Sequence, residues 1–269
     1  MSQPRSALLH APKVADLPWD RLRQEARAAA ASEPVLATLF HAAVLDQDDF
    51  EAAATQRALS RIAHAELPAV LLRLAFAEAL ACDAGIAPAI RADLSAVVER
   101  DPAAGRSLDA FLHFKGFHAL VLHRLAHWLW RRGRQDLALY LQCRVSQVLQ
   151  VDIHPAARLG HGLFLDHATG IVVGETAVID DDVSILQGVT LGGSGLAAQV
   201  RHPHIGPGVL IGAGARLFGP IAIGAGARIG AGALVLEDVP PHMTAAGSPA
   251  RIIGPAGSPE PARVMDQVF

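Results

Sequence analysis

An aliphatic residue recurs at every sixth position over two long stretches of the chain. This period fits neither an amphipathic helix nor an alternating strand, and it is typical of hexapeptide β-helix repeats. Three hexapeptides form one triangular coil of about 18 residues, so residues 18 apart should stack. We therefore predict an interior ladder of Ile153, Ile171 and Val189. The two series are Ile153, Leu159, Leu165, Ile171, Ala177, Val183 and Val189, and then Ile205, Ile211, Leu217, Ile223, Ile229 and Val235.

The gap between the two series predicts a loop. The period breaks off after Val189 and returns at Ile205, ten residues later than the repeat requires. Solenoids accommodate such insertions as loops that project from one coil, often on the binding face. This inserted loop, residues 195–204, carries Arg201 and His202. From composition alone it could equally be a solvated basic surface.

Residues 1–150 are poor in glycine and carry apolar residues at helical spacing, which predicts helices. Ser32 ahead of Glu33-Pro34 resembles a helix start, and Asp48 with Glu51 resembles a capping box. Lone helices of this length are marginal, so we expect them to pack together and to cover the first coil of the solenoid. The predicted segments are 18–31, 34–46, 49–65, 69–83, 88–99, 117–132 and 135–150.

These patterns predict an α+β protein with an N-terminal all-α helical domain followed by a parallel β-helix. Such solenoids are usually left-handed, and we expect that hand here. The helical domain should span residues 1–150, and the β-helix should span residues 151–254 with the inserted loop. The remaining residues, 255–269, are rich in proline and glycine and are predicted to form a flexible tail.

Composition excludes several classes of protein. The net charge of −3 gives no support for nucleic-acid binding, which usually requires a basic surface. The N-terminus lacks the apolar core of a signal peptide, and the most apolar helical run, 68–82, is too short and too charged to span a membrane. Cys82 and Cys143 fit buried free thiols in a reducing compartment. We therefore expect a soluble cytoplasmic protein.

The polar residues of the repeat region point to acid–base chemistry. Asp166 and His167 are adjacent, and an imidazole with a pKa of about 6.5 can accept a proton near neutrality. Asp152 precedes His167 by slightly less than one coil, so the two could meet across successive coils. A carboxylate bonded to one ring nitrogen fixes the tautomer of the imidazole and stabilises its protonated form. A lone histidine in such a repeat is more often a surface residue without a catalytic role.

Several segments of the chain resemble serine O-acetyltransferase, a family of the hexapeptide-repeat acyltransferase superfamily. The resemblance is dense over residues 90–254 and looser in the earlier helices. The repeat alone is shared by many acyltransferases, whereas the segments beginning at Asp152 and Leu165 are highly specific. The matching segments are Gly116-Phe117, His127-Trp128-Leu129-Trp130, Asp152–Ala157, Leu165–Ala177, Val189–Gly193, Arg201–Pro203 and Ala245–Arg251.

The resemblance implies transfer of acetyl from acetyl-CoA to the hydroxyl of L-serine, a step of cysteine biosynthesis. It implies that His167 is the general base and that Asp152 pairs with its imidazole. The residues implied to bind serine, and cysteine as an inhibitor, are Asp101, Asp166, Arg201 and His202. The residues implied to bind acetyl-CoA, in a groove between neighbouring solenoids, are Gly193, Ala213, Ala231, Arg228 and Arg251. Acetyl-CoA acts as a co-substrate, and neither a permanently bound cofactor nor a metal is implied.

The resemblance also implies partners. Family members are typically dimers of trimers joined through the helical part, so we expect a homo-oligomer that is a trimer or a dimer of trimers. Bacterial relatives commonly end in an isoleucine that inserts into cysteine synthase. This chain ends at Phe269, so binding to cysteine synthase is doubtful.

Three other functions stay open at this point. The repeat permits a different acetyl acceptor, such as homoserine or a sugar, and it also permits a scaffold that has lost catalysis. A trimeric zinc enzyme of the carbonic anhydrase type shares the solenoid, although no histidine spacing here matches a dedicated ligand set. The histidines that motivate the zinc alternative are His154, His161, His167, His202 and His204.

Overall fold

The computed structural model describes residues 19–195 and 199–267, and its first part is helical, as predicted. A short helix, α6, was not predicted, and residues 34–45 form successive 3₁₀, α and π turns instead of one regular helix. The helices are α1 Trp19–Ser32, α2 Ala37–Phe40, α3 Phe50–Ile62, α4 Ala69–Cys82, α5 Ile86–Arg100, α6 Ser107–His113, α7 Lys115–Arg131 and α8 Gln135–Leu149.

Two predicted helix starts are wrong by one residue. The cap of α3 is Asp49 and not Asp48, because the side chain of Asp49 accepts the backbone N–H of Ala52 at 2.8 Å. Ser32 is the last residue of α1, and its hydroxyl donates to Ala29 O. Both Asp48-Asp49 and Ser32-Glu33 offer two polar residues in sequence, so composition alone does not fix which of them turns toward the helix.

The second part of the chain is a parallel-strand solenoid, as the six-residue period predicts. Its short strands form three sheets, with orders β1-β4-β7-β10-β13, β2-β5-β8-β11 and β3-β6-β9-β12-β14-β15, which we number first, second and third. The strands are β1 Val151–Ile153, β2 Arg158–Leu159, β3 Phe164–Asp166, β4 Ile171–Val173, β5 Val178–Ile179, β6 Ser184–Leu186, β7 Thr190–Gly192, β8 His204–Ile205, β9 Leu210–Ile211, β10 Arg216–Phe218, β11 Ala222–Ile223, β12 Arg228–Ile229, β13 Leu234–Val235, β14 Met243–Gly247 and β15 Ala250–Pro255.

The repeating aliphatic residues form the interior, and all of them except Leu159 are at most 5 % exposed. The predicted ladder is wrong in its first rung, because the first coil is longer than three hexapeptides. Ile171 pairs with Val151, whereas Ile153 pairs with Val173. The ladder is therefore Val151, Ile171 and then Val189 in the next coil.

The size of the inserted loop also changes with the register. Ile179 pairs with Ile205 across the coil that contains the insertion, whereas Ile205 pairs with Ile223 across a coil of three regular hexapeptides. The separation of Ile179 and Ile205 along the chain is eight residues longer than that of Ile205 and Ile223, so the insertion has eight residues and not ten. The estimate from the period was too large because the two aliphatic series occupy different positions within the coil. The apolar loop positions 196–198 lie outside the described residues.

The helices cover the first coil of the solenoid, as predicted. α8 ends at Leu149, and its C-cap Gln150, with a φ of 58°, turns the chain directly into β1. α7 lies so close to β3 that a β-carbon on Gly116 would be 2.1 Å from Leu165 O. Beside this contact, buried Asp93 of α5 accepts from Arg124 of α7 at 2.8 Å and from the backbone N–H of Leu163 at 2.9 Å. The described residues contain no helix that is both long and apolar enough to cross a membrane.

The C-terminal segment, for which composition predicts a flexible tail, packs against the rest of the molecule as far as residue 267, and its flexibility stays a prediction. β14 continues the third sheet beside β12, and β15 returns antiparallel to β14. A short helix, α9 (Pro261–Val264), then packs back on the molecule, with Pro261 and Ala262 buried.

The prediction of buried thiols is wrong, because Cys82 and Cys143 are both exposed. Each lies on the outer face of a helix, where local apolar spacing gives little indication of burial.

Candidate active site

His167 lies at the corner where the third sheet turns into the first. β3 ends at Asp166, and His167 and Ala168 follow with φ values of 53° and 60°. Left-handed backbone at two successive non-glycine residues is uncommon and is frequent at functional sites. The turn leaves the His167 side chain 77 % exposed, with its Nε2 3.8 Å from Asp166 Oδ1. The imidazole is thus presented outward beside a carboxylate.

Asp101 and Asp166 lie close enough to influence each other. Asp101 follows the last residue of α5, and its Oδ1 accepts the backbone N–H of Ala103 at 2.8 Å. Burial raises the pKa of Asp166, with nearby Asp101 raising it further and His167 opposing both. Two neighbouring carboxylates favour a cation between them. The structure therefore brings together three of the predicted residues, Asp101, Asp166 and His167.

Asp152 has a different partner from the predicted one. Its Oδ1 accepts a hydrogen bond from Gln142 of α8 at 2.7 Å. Within the described residues, no ion pair joins Asp152 to His167, and the carboxylate nearest to His167 among the ion pairs is Asp166. The pairing of Asp152 with His167 stays a prediction. Gln142 was not predicted as part of this site, because helical periodicity does not indicate which exposed amide meets a strand.

A column of stacked corners rises above His167. The backbone N–H of Gly188 donates to Thr169 O, that of Gly214 to Gln187 O and that of Gly232 to Ala213 O, each at 2.8 Å. Ala213 and Ala231 therefore lie two and three coils above His167, and exposed Arg251 lies in β15 beyond them. We call this column the His167 edge, comprising residues 166–170, 187–188, 213–214 and 231–232.

Gln187 belongs to the same edge but was not predicted as a site residue. Its Oε1 is buried and has no hydrogen-bond partner within the described residues. The only sequence signal for Gln187 was that it is polar among small and aliphatic neighbours.

A second group of polar residues lies at the opposite end of the first sheet, where that sheet turns into the second. We call it the His202 edge, comprising residues 154, 174–176, 193 and 201–202. The Arg201 guanidinium bonds to Glu175, and this hydrogen bond lowers the pKa of the Glu175 carboxyl. His154 packs edge-on against Trp130 at 5.1 Å between ring centroids, and burial lowers its pKa.

The His202 ring is held in one orientation. A β-carbon on Gly174 would lie 2.0 Å from the ring, so the ring can pack there only because residue 174 is glycine. The backbone N–H of Thr176 donates to His202 Nδ1 at 3.2 Å, which makes Nδ1 an acceptor and leaves the proton on Nε2. Burial and then Arg201 lower the pKa of His202, which keeps it neutral. A β-carbon on Gly193 would lie 3.1 Å from Nε2, so Gly193 is also a close neighbour of the ring.

Arg228 differs from the other residues predicted to bind acetyl-CoA. Its side chain is buried, and its Nη1 lies 3.4 Å from Asp266 Oδ2 in the C-terminal segment. The binding of acetyl-CoA by Arg228 stays a prediction. The six-residue period did not reveal the burial because the covering segment follows the last repeat.

The candidate zinc ligands are dispersed. His154, His161 and His167 follow three different strands, whereas His202 precedes β8 and His204 begins it. In the described part of the chain no three His, Cys, Asp or Glu residues are grouped so as to hold a metal ion. His161 lies near Asp181, and His204 bonds to Asp180 at 2.9 Å. His127 contacts Pro155 O at 2.8 Å through Nδ1.

Comparison with known proteins gives one consistent result. The family described as serine acetyltransferase, N-terminal, matches residues 18–121. A serine acetyltransferase of Salmonella typhimurium is 51 % identical over 254 residues, which cover 94 % of this chain and 93 % of the relative. A serine acetyltransferase solved in complex with cysteine is 47 % identical, with a TM-score of 0.91, and the match covers 93 % of this chain and 98 % of that one. A serine acetyltransferase from Brucella abortus solved with coenzyme A is 51 % identical, with a TM-score of 0.88 and coverage of 90 % and 96 %.

Proposed function

Because this chain belongs to the serine acetyltransferase family, we propose that it transfers the acetyl group of acetyl-CoA to the hydroxyl of L-serine. The products are O-acetyl-L-serine and CoA, and the reaction is a step of cysteine biosynthesis. Membership of the family makes the chain an acyltransferase.

His167 is the general base of the proposed reaction. Its imidazole takes the proton of the serine hydroxyl as the oxygen attacks the thioester carbonyl, and the C–S bond then breaks. The thiolate of CoA leaves with that proton, which returns the imidazole to its neutral form. Asp152 is proposed to hold the ring once serine is bound, in exchange for its bond to Gln142. Cys82 and Cys143 lie outside the solenoid, which argues against an acyl-cysteine intermediate.

The serine site requires both polar edges. Asp101 and Asp166 suit the ammonium group, whereas Arg201 and neutral His202, with its Nε2–H, suit the carboxylate. Three-residue strands, about 10 Å long, separate the two edges within one chain. We therefore propose that the His167 edge of one copy faces the His202 edge of a second copy. Cysteine, which shares the ammonium and carboxylate groups of serine, is proposed to inhibit at the same place.

Acetyl-CoA is proposed to lie along the His167 edge. The corners at Ala213 and Ala231 offer backbone groups to the pantetheine arm above His167, and Gly193 of the second copy offers its backbone from the other side. Exposed Arg251 is available for the phosphates. Arg228 could join it only after the C-terminal segment that carries Asp266 moves away.

The helical part is proposed to be the oligomerisation domain. α4 exposes Val70, Leu71 and Leu74 to about half or more of their surface, and exposed side chains of this size on one helix favour contact with another copy. A trimer would join the solenoids, and a dimer of trimers would join the helices. Sedimentation distinguishes the two assemblies.

The observation that carries the proposal is the outward imidazole of His167 beside Asp101 and Asp166. We expect His167→Asn to lower kcat for L-serine by two or more orders of magnitude, measured as thiol release from acetyl-CoA, because a general base contributes about that much. His161→Asn is the matched control, since His161 is also exposed and close to an aspartate but lies at another corner. An unchanged rate for the His167 variant would exclude His167 as the base.

The identity of the acceptor is tested separately. Thiol release should be much faster with L-serine than with homoserine or a sugar, because only an amino acid of the right length engages both groups of polar residues. A clear preference for a sugar acceptor would contradict the proposed serine site.

A further inference from the structure

The C-terminal end of α5 is fixed to the solenoid by one buried arginine. Arg100, the last residue of α5, has a side chain that is only 1 % exposed. Its Nη2 donates to Asp182 Oδ1 at 2.8 Å, and its Nη1 donates to Ser184 Oγ at 3.1 Å. Ser184 begins β6, so these bonds join the helical part to the second coil.

The C-terminal segment bonds to both sides of this joint. Ser184 Oγ donates to Ala262 O at 2.8 Å, which connects α9 to the solenoid. Arg263 of α9 donates to Glu99 Oε1 at 2.6 Å, which connects it to α5. Arg263 Nη2 also lies 3.8 Å from Asp182 Oδ1, the oxygen that Arg100 binds. α9 is thus a strap over the contact between α5 and β6.

The residue after Arg100 is Asp101, one of the two carboxylates proposed to bind the ammonium group of serine. The turn at Asp101 moves with α5, because its backbone N–H donates to Val97 O at 3.0 Å and its carboxylate caps Ala103. Asp166, in contrast, belongs to β3 of the solenoid. The separation of the two carboxylates therefore depends on how the end of α5 sits on the solenoid.

We infer that Arg100 and Arg263 are positioning residues for the serine site, which hold Asp101 at its distance from Asp166. Neither arginine touches the substrate in this scheme. Arg100 fixes the end of α5, and Arg263 closes the strap over it. The inference rests on the proposed function, because it concerns the affinity for serine.

The first test is Arg263→Gln, which removes a partly exposed ion pair and leaves the core intact. We expect the KM for L-serine to rise about three- to fivefold, in line with the loss of one such pair. The KM for acetyl-CoA and kcat should stay within about twofold of their original values. Glu260→Gln is the matched control, because Glu260 contacts Arg263 Nε at 3.4 Å without reaching α5. An unchanged KM for L-serine in the Arg263 variant would overturn its role.

A second comparison separates positioning from general destabilisation. Arg100→Met should raise the KM for L-serine tenfold or more, and Arg100→Lys should recover part of that loss because it keeps a charge near Asp182. In a chain that already carries Asp101→Asn, Arg263→Gln should add no further rise in the KM for L-serine. Additive effects would mean that the strap acts on the protein as a whole and not through Asp101, which would overturn the inference.

The same set distinguishes a failure of the inference from a failure of the proposed site. If Asp101→Asn leaves the KM for L-serine unchanged, the assignment of Asp101 to the serine site is wrong, and the inference falls with it. If Asp101→Asn raises that KM while both arginine variants leave it unchanged, the site stands and the inference alone is wrong.

Discussion

At the scale of single residues, Thr176 determines how His202 can act. Its hydroxyl oxygen accepts the backbone N–H groups of Arg201 and His202, at 3.0 and 3.2 Å. The hydroxyl proton is then free to donate to His202 Nδ1 at 2.8 Å. A hydroxyl has one donor and two acceptor positions, and all three are used here. One side chain thus closes the base of the inserted loop and fixes the tautomer of the ring.

We predict that Thr176→Val lowers kcat/KM for L-serine by about tenfold or more. The valine is similar in size but leaves the backbone N–H groups of Arg201 and His202 without their acceptor, and each such loss costs about 1–3 kcal/mol. His202 Nδ1 then keeps only the backbone N–H of Thr176 as its donor. Thr176→Ser keeps the hydroxyl and should retain most of the activity. Thiol-release kinetics at several serine concentrations provide the measurement, and equal values for the valine and serine variants would contradict the prediction.

The residues of the site were predictable to different degrees. The adjacent pair Asp166-His167 stands out because carboxylates and imidazoles are rare among the small outward residues of the repeat. Thr176 and Gln142 do not stand out, because their roles depend on where an inserted loop and a helix return to the solenoid. The six-residue period describes spacing along the chain only, so it does not indicate where the inserted loop and α8 contact the solenoid.

At the scale of elements, the contact between α7 and β3 depends on Gly116. The helix approaches the strand so closely that Leu165 O occupies the place of a β-carbon. Glycine in a helix is otherwise unfavourable by up to about 1 kcal/mol relative to alanine. The close approach sets the position of β3, which ends at Asp166 and leads into His167.

We predict that Gly116→Ala destabilises the protein although alanine is the better helix former. Overpacking against a backbone oxygen costs typically about 1–3 kcal/mol, which exceeds the gain in helix propensity. Gly105→Ala is the control, because a β-carbon there would have only Asp109 Oδ2 near it, at 4.0 Å. Urea unfolding at a fixed protein concentration measures the difference. A midpoint of the Gly116 variant at or above that of the original chain would contradict the prediction and show that the contact between α7 and β3 can relax.

Elements themselves were predicted better than their alignment. Seven helical segments and the repeat were visible, because both depend on apolar spacing along the chain. The first rung of the ladder was wrong because a coil longer than three hexapeptides shifts Ile153 onto Val173 and still leaves both inside. α9 was missed because its four residues are held by contacts with α5 and β6, and not by a pattern of their own.

At the scale of the whole molecule, neutral histidines lie within and beneath the helical part. Burial lowers the pKa values of His113, His118, His123 and His127, so each is neutral in the folded protein near neutrality. The buried pair Asp93–Arg124 connects the same helices to the first coil. Protonation of a buried histidine therefore opposes the packing that holds the helices on the solenoid.

The sharpest consequence concerns His118, whose Nε2 contacts Phe111 O at 2.8 Å and whose pKa burial lowers to about 3. The unfolded chain binds this proton at a pKa of about 6.5, so between the two values the unfolded state carries more protons. The free energy of unfolding must then fall as the pH is lowered from 6.5, by about 1.4 kcal/mol per pH unit from this residue.

His118→Gln keeps a donor for Phe111 O but cannot bind a proton. We predict that its urea midpoint falls less steeply between pH 6.5 and 4 than that of the original chain, even if it is lower at pH 7. An equal slope in the His118 variant would assign the acid sensitivity to other groups.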